Sequence, residues 1–501
     1  MEKLKEPKKL GIKMIAQTIA YIYMVVLSGL ALYATYLVIL ISLYLWHKRD
    51  APPSLPTLAE SQLPMVTVQI PLRNELHVAK RIIQAVAQLD WPHDRLEIQV
   101  LDDSDDETTA IVEAEAARLR TEGVLIRILH RDQPTGYKAG ALAAGLVQAR
   151  GEFLTIFDAD FYPPVDFLRR TVPHLVANST LGMVQARWEH LNAEYSAITR
   201  AQALLLDAHF SVEHIARNRS GLLMNFNGTA GIWRKSAIVD AGGWQHDTVA
   251  EDLDLSYRAQ LAGWKILYLP NVVAPAELPP QVAAFKRQQY RWAKGATQTL
   301  RKLALPIVRS KRLNIFQKIM ALLHLGGYFN LTLLLIMIFL TLPMVLYNPN
   351  LPQLAAFLGG LASIPPLMYL LGQMHLRTDW PRRMLTYPLL MFLGIGIAWS
   401  NTLAILDGLT HWGGPFIRTP KFKLKGRQGE WRNSEYRLGL DHTLIGELLI
   451  ALYALGSAWL AFNLQQENLL PFILIYVGGE ALMIWSTLKQ ARLRVMSDRV
   501  G

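Results

Sequence analysis

The apolar run from Met14 to Trp46, about 33 residues, constrains this chain more than any other feature. As a helix at ~1.5 Å per residue it would reach ~50 Å, well beyond the ~30 Å hydrocarbon core of a bilayer. One plain crossing does not use it up. It reads either as an interfacial helix leading into a single span or as a short hairpin breaking near Ser28 and Gly29. Lys3, Lys5, Lys8, Lys9 and Lys13 would favour the cytoplasmic side and hence an even number of crossings here. The run is far longer than the apolar core of a signal peptide, and no small-residue cleavage site follows it.

Composition supports two regimes in one chain. The 501 residues are 51% hydrophobic and 18% charged, too apolar for an ordinary soluble protein and too charged for a purely membranous one. With Cys 0 there is no disulfide, thiolate zinc site or cysteine nucleophile. The formal charge of +11 would permit nucleic acid. The basic residues concentrate beside apolar spans, however, which points to anionic lipid or phosphorylated substrates and not to nucleic acid.

After HKRDAPPSLP the texture changes to MVTVQIPL, EIQVLDDS, LIRILHR and FLTIFDAD, short β-branched runs ending in polar residues. Helix-like stretches such as Ala79 to Leu89 and Thr108 to Arg120 lie between them. This alternation predicts a mostly parallel α/β sheet whose ligands gather at the strands' carboxyl ends, where the charged motifs fall. Leu278 to Lys318 holds ten Lys or Arg and no Asp or Glu, the pattern of helices lying on a cytoplasmic membrane surface. Apolar segments follow near Leu323 to Leu346, Leu354 to Leu371, Leu385 to Leu406, His442 to Phe462 and Leu469 to Leu488. Counting all five as spans would put the loop with Arg418, Lys421, Lys423, Lys425, Arg427 and Arg432 outside. Leu385 to Leu406, interrupted by Gly394, Gly396, Ser400 and Asn401, is therefore read as interfacial or re-entrant.

Six motifs carry chemistry. PLRNE, Pro71 to Glu75, is a polar turn after the first strand and suits a nucleotide. In LDDSDDET, Asp103 is placed to accept from a base or ribose. Ser104 as N-cap and a helix dipole account for Asp105, Asp106 and Glu107. In FDADF, Asp158 and Asp160 would point to one face of an extended segment and hold Mg²⁺ or Mn²⁺ against a diphosphate, with Lys138 adding charge. In FNGTAGIWR, Gly228 and Gly231 allow close backbone approach to a sugar, and Asn227 and Thr229 bring hydrogen bonds; a turn into a strand fits equally. Thr248-x-x-Glu251 matches a capping box, which explains Glu251 structurally and leaves Asp252 as the candidate general base. In QQYRW, Gln288, Arg291 and Trp292 share one helix face, where Arg291 can meet a departing diphosphate and Trp292 a sugar ring.

With WPHDRLEIQVLDDSDDET, GYKAGAL, FDADF, LLDAHFSVEH, FNGTAGIWR, AGGW, AEDLDLSYRAQLAGW, AELPP and QQYRWAKG, the chain resembles the processive family-2 glycosyltransferases of the cellulose-synthase superfamily. It looks most like the plant cellulose-synthase-like A and C proteins and their bacterial relatives. PFIRTPK, Pro415 to Lys421, resembles the gating loop of cellulose synthases, which singles out Phe416, Arg418, Thr419 and Lys421. The first motif lacks the aromatic that relatives often place before Asn, and Ala250 stands where many have Thr or Val.

The resemblance implies a GT-A domain inserted between transmembrane helices, an inverting mechanism, a UDP- or GDP-sugar donor and Mg²⁺ or Mn²⁺. It assigns Asp102 and Asp103 to the nucleotide and Asp158 and Asp160 to metal and diphosphate. Asp252 becomes the base, and Gln288, Arg291 and Trp292 serve acceptor and diphosphate; Asn227, Gly228 and Thr229 are read with the acceptor.

The expected organisation is a membrane segment 1–46, linker 47–63, cytosolic catalytic domain 64–277, interfacial helices 278–322, two spans in 323–375, an interfacial or re-entrant segment 376–409, a cytosolic loop 410–441, two spans in 442–488 and a tail 489–501. The expected activity is polymerisation of a β-glucan or a mannan-type glycan from UDP-glucose or GDP-mannose, with the growing glycan as acceptor and lipids around it, in a bacterial plasma membrane. Transfer of one sugar to a lipid acceptor is the alternative, and a transporter with a nucleotide-sensing domain is a weaker one.

Overall fold

The computed structural model describes residues 6–50, 54–415, 418–432 and 434–497. Seven strands form one sheet: β1 Val66–Leu72, β2 Leu96–Asp102, β3 Leu125–His130, β4 Phe153–Ile156, β5 Leu181–His190, β6 Gly231–Arg234 and β7 Lys265–Ala276. Their order is β3-β2-β1-β4-β6-β5-β7. β1 pairs in parallel with β2 and β4, β2 with β3, and β5 with β7, while β6 runs antiparallel to both its neighbours. The reversal of β6 places its amino end beside the carboxyl end of β4 and the middle of β5. Residues just before β6 therefore join the same rim as residues just after the other strands.

Both faces of the sheet are covered, so its strands read as continuous apolar runs. On one face Val68, Ile70, Ile98 and Val100 pack with Ile82, Val86, Val112 and Phe167 from flanking helices. On the other, Leu101, Leu154 and Met183 share a core with Leu142, Ile215 and Leu255, and also with Tyr36, Leu40, Ile41 and Tyr44 of the N-terminal helix. The soluble layer is thus docked directly on the end of the first apolar helix.

That helix is continuous from Glu6 to His47, with no hairpin at Ser28 and Gly29. A Cβ on Gly29 would lie 2.8 Å from Leu333 Cδ1. The glycine serves close approach to the helix Phe329–Tyr347, not a turn. The span expected from Leu323 starts at Phe329, because the helix Ile315–Leu325 ends at Gly326 and Gly327. Among the described residues, five helices are long and apolar enough to cross a membrane: Gly11–His47, Phe329–Tyr347, Gln353–Leu376, Leu444–Asn463 and Glu467–Ala491. Trp380–Gly396 and Ala398–Thr410 form a pair bent by 45°.

Two expected caps are absent. The helix Thr108–Thr121 begins after Glu107, so Ser104 is not its N-cap; its Oγ instead accepts from the Asn74 amide at 2.8 Å. The helix Glu251–Ala262 has Ala250 at its N-cap, so Glu251 opens the helix and Thr248 caps nothing. Thr248 Oγ1 is buried without a hydrogen bond among the described residues.

The helix Val282–Arg309 joins the two regimes. On its sheet side Gly295 packs on Ala250, where a Cβ would stand 2.5 Å from the Ala250 Cβ. On its membrane side the buried Lys286 Nζ donates to Glu447 Oε1 at 2.7 Å and Thr443 Oγ1 at 2.9 Å. Lys286→Met leaves a buried carboxylate uncompensated and should cost about 3–5 kcal/mol. Thermal unfolding in detergent should show that loss, and adding Glu447→Leu should recover most of it.

Candidate active site

The strand ends, the helix Val282–Arg309 and the loop after Thr410 enclose a cavity of about 190 Å³. Asp103, Lys138, Asp158, Asp160, Asn227, Gly228, Asp252, Gln288, Arg291, Trp292, Arg418, Thr419 and Lys421 all line it. Phe416 lies outside the described residues.

Asp102 and Thr229 do not line it. Asp102, the last residue of β2, is fully buried, accepting from the Ser104 amide at 3.1 Å and Thr109 Oγ1 at 2.8 Å. It holds the turn that presents Asp103. Thr229 is likewise buried, and its Oγ1 accepts from the Asp158 amide at 2.9 Å. It fixes the Asp158 backbone and leaves the cavity to Asn227 and Gly228.

Asp158 and Asp160 leave β4 in a turn, closed by the Phe161 amide on the Asp158 carbonyl at 3.1 Å, and not in the extended form expected. The turn still delivers both carboxylates to the cavity. Lys138 Nζ sits 2.6 Å from Asp158 Oδ1 and donates to the Gly228 carbonyl at 2.9 Å. Lys421 Nζ sits 2.6 Å from Asp160 Oδ2. Asp158 Oδ2 and Asp160 Oδ1 accept no hydrogen bond from the described residues. Two carboxylate oxygens from one tight turn form a hard donor set, and they fit a divalent cation such as Mg²⁺ or Mn²⁺.

Asp252 stands at the second position of its helix, against Gly228. Gly228 has φ +80, and a Cβ there would lie 2.8 Å from Asp252 Oδ2. Burial raises the Asp252 carboxyl, the neighbouring Glu251 raises it further, and Lys138 opposes them, leaving it pushed up to about 7. Glu251, freed from a capping role, is buried beside it and lines the cavity. Lys138 is disfavoured as a cation by burial, yet Asp158, Glu251 and Asp252 outweigh that and raise it.

Several contributors went unassigned in sequence. Arg131 clasps Asp103 with Nε on Oδ1 at 2.9 Å and Nη2 on the other oxygen. Glu277, at the end of β7, accepts the Phe422 and Leu424 amides at 2.8 and 3.1 Å and donates its own amide to Asp160 at 3.2 Å. Burial raises its carboxyl to about 7 against the pull of Lys421. Glu75 is likewise pushed up to about 8 by burial, with Arg418 3.5 Å away. The acid of AELPP at a strand's carboxyl end was the one available signal for Glu277. Together these contacts bind the loop from Arg418 to Leu424 over the strand ends. The cavity presents a raised carboxyl, a pair of carboxylates that fit a cation and a ring of basic side chains whose charge suits a diphosphate.

Residues 64–295 match the family model described as glycosyltransferase like family 2. The chain is 42% identical over 328 residues to glucomannan 4-beta-mannosyltransferase 2 of Arabidopsis thaliana, covering 64% of this chain and 61% of that protein. It is 34% identical over 464 residues to the probable glucomannan 4-beta-mannosyltransferase 2 of Oryza sativa subsp. japonica, covering 88% of this chain and 77% of that protein. Among solved structures, a mannosyltransferase from Pyrobaculum calidifontis in complex with GDP-Man and Mn²⁺ aligns with TM-score 0.47 and 18% identity, over 80% of this chain and 99% of that one. The chain thus spans about three-fifths of the Arabidopsis relative and most of the rice one. The mixed sheet is that of a GT-A domain, and with identity sustained across the soluble and apolar parts alike, the chain belongs to the family-2 glycosyltransferases, the family of these cellulose-synthase-like relatives.

Proposed function

We propose that this protein is a membrane-bound, inverting glycosyltransferase that polymerises a β-linked mannan or glucomannan from a nucleoside-diphospho sugar, GDP-mannose or UDP-glucose. One observation carries the reading: a carboxyl raised to about 7, Asp252, faces the Asp158–Asp160 pair across a cavity closed by Gln288, Arg291 and Trp292. Asp252 takes the proton of the acceptor hydroxyl as its oxygen attacks the anomeric carbon. The nucleoside diphosphate departs from the opposite face, and Lys138, Lys421 and Arg291 stabilise its charge. Asp158 Oδ2 and Asp160 Oδ1 would hold Mg²⁺ or Mn²⁺, which when bound neutralises diphosphate oxygens. Asp103, anchored by Arg131, is the reading for the nucleoside, and Trp292 offers a flat face to the acceptor sugar.

The loop supports a topology for the whole chain. Lys421 reaches Asp160, so the loop and the α/β domain share one side of the membrane. Two crossings, Phe329–Tyr347 and Gln353–Leu376, satisfy this if the bent pair returns to its own side. The basic loop makes that side cytoplasmic.

Asp252→Asn should lower transfer by about 10³-fold or more while donor binding is retained, read by radiolabelled donor turnover and by titration of the donor. A variant that still polymerises would sink the base assignment. Because the base must be ionised and its pKa is raised, kcat/KM should be full above pH 7 and fall as pH drops through about 7. Gly295→Ala, by forcing the acceptor helix away from Ala250, should cost about 10²-fold in kcat/KM with unchanged circular dichroism. A lipid-extractable monoglycoside as the radiolabelled product would replace polymerisation with single transfer.

A further inference from the structure

Asn227 enters the cavity from a chain of hydrogen bonds that the transfer chemistry leaves unused. Its Oδ1 lies 2.8 Å from His214 Nε2, its Nδ2 lies 3.1 Å from His209 Nε2, and its backbone amide donates to Gln185 Oε1 at 3.1 Å. His209 opens a π-helical turn, His209–Glu213, and its Nδ1 is 2.8 Å from Glu213 Oε2. Such turns are rare and recur at functional sites. The two imidazole rings stand 4.2 Å apart.

The direction of this chain is set from one end. Burial opposes the charge on Glu213, but the hydrogen bond with His209 Nδ1 and the Arg217 guanidinium hold its carboxyl below the usual range, so it accepts hydrogen bonds. A neutral His209 that donates from Nδ1 to Glu213 leaves its Nε2 lone pair to accept from the Asn227 amide. Asn227 Oδ1 is thereby turned to His214, which donates from Nε2. Burial keeps His214 well below its ordinary pKa, so it is neutral, and its Nδ1 is buried without a partner. A bare lone pair there is tolerable, whereas a buried N–H would not be. The result is an amide locked in one orientation, with one N–H and one carbonyl lone pair left for the cavity.

We infer that Glu213, His209 and His214 are positioning residues for the Asn227 amide, and that this amide reads a hydroxyl of the acceptor sugar. The inference rests on the glycosyltransferase reading above. It places acceptor recognition in a device separate from the lysines and aspartates that serve the donor diphosphate. A site built to hydrogen-bond a hydroxyl discriminates through the polar groups left unpaired when that hydroxyl is missing or misdirected.

The experiment compares two reactions of the full chain in detergent: hydrolysis of GDP-mannose or UDP-glucose, and transfer to mannotetraose or cellotetraose. His214→Phe should raise KM for the tetrasaccharide about tenfold while donor hydrolysis changes less than about twofold. His214→Gln, whose amide can donate from the same place, should bring that KM back to within about threefold. The double variant Asn227→Ala with His214→Phe should be no worse than Asn227→Ala alone, because the histidine acts through the amide. Equal losses in hydrolysis and transfer, or additive losses in the double variant, would overturn the inference. Should His214→Phe fail to fold, His209→Leu decides, since it removes the lone pair that fixes Nδ2; an unchanged KM for the tetrasaccharide overturns it. If the unaltered protein turns over neither donor, the glycosyltransferase reading itself fails.

Discussion

The structure depends on compensating carboxylates that the sheet gathers in one small space. Asp158, Asp160, Asp252, Glu75 and Glu277 line one cavity with Glu251. Like charges so crowded cannot all ionise unless cations answer them. The chain supplies those cations from three places: Lys138 from a helix start, Arg291 from the helix Val282–Arg309, and Arg418 with Lys421 from a loop some 260 residues from Asp160. Asp158 has its answer in Lys138 Nζ at 2.6 Å. Where burial wins, as for Glu75 and Glu277, the proton is held more tightly.

That compensation reaches into the membrane. Lys421 can meet Asp160 only if every apolar segment between them returns the chain to the same side, so an ion pair in the cavity constrains how the helices from Phe329 to Thr410 are threaded. The helix Val282–Arg309 carries the constraint further. Gly295 presses it on Ala250, two residues before Asp252, and Lys286 ties it to Glu447 within a candidate span. Gln288, Arg291 and Trp292 lie on that same helix, between the two contacts, and line the cavity.

Local rules made much of this legible. β1 to β4 follow from β-branched runs ended by polar residues, and the D-x-D pair was found because it follows such a run. The failures share one cause, which is that the deciding partner is distant or the local pattern degenerate. β2 is buried on both faces, so alternation could not tell Asp102, which braces a turn, from Asp103, which faces the cavity. Thr229 sits beside two cavity residues yet turns inward to the Asp158 amide. Thr248 and Glu251 have the spacing of a capping box, but the helix starts later, where Gly295 draws Ala250 against its neighbour. The contacts of Lys421, Arg418 and Glu277 join segments with no shared periodicity, so only the family resemblance drew the loop to the site.

Asp252 illustrates how magnitude decides such a question. A helix N-terminus favours a carboxylate by about 0.3–1 kcal/mol at an exposed site, less than one pKa unit. Burial can raise a carboxyl by as much as ~3–5 units, and a second carboxylate adds to it. Asp252 meets all of these together with the opposing charge of Lys138. Its position near 7 shows that burial and Glu251 outweigh the helix and the lysine. Glu251 therefore raises the carboxyl of its neighbour, an effect the capping arrangement would have directed elsewhere.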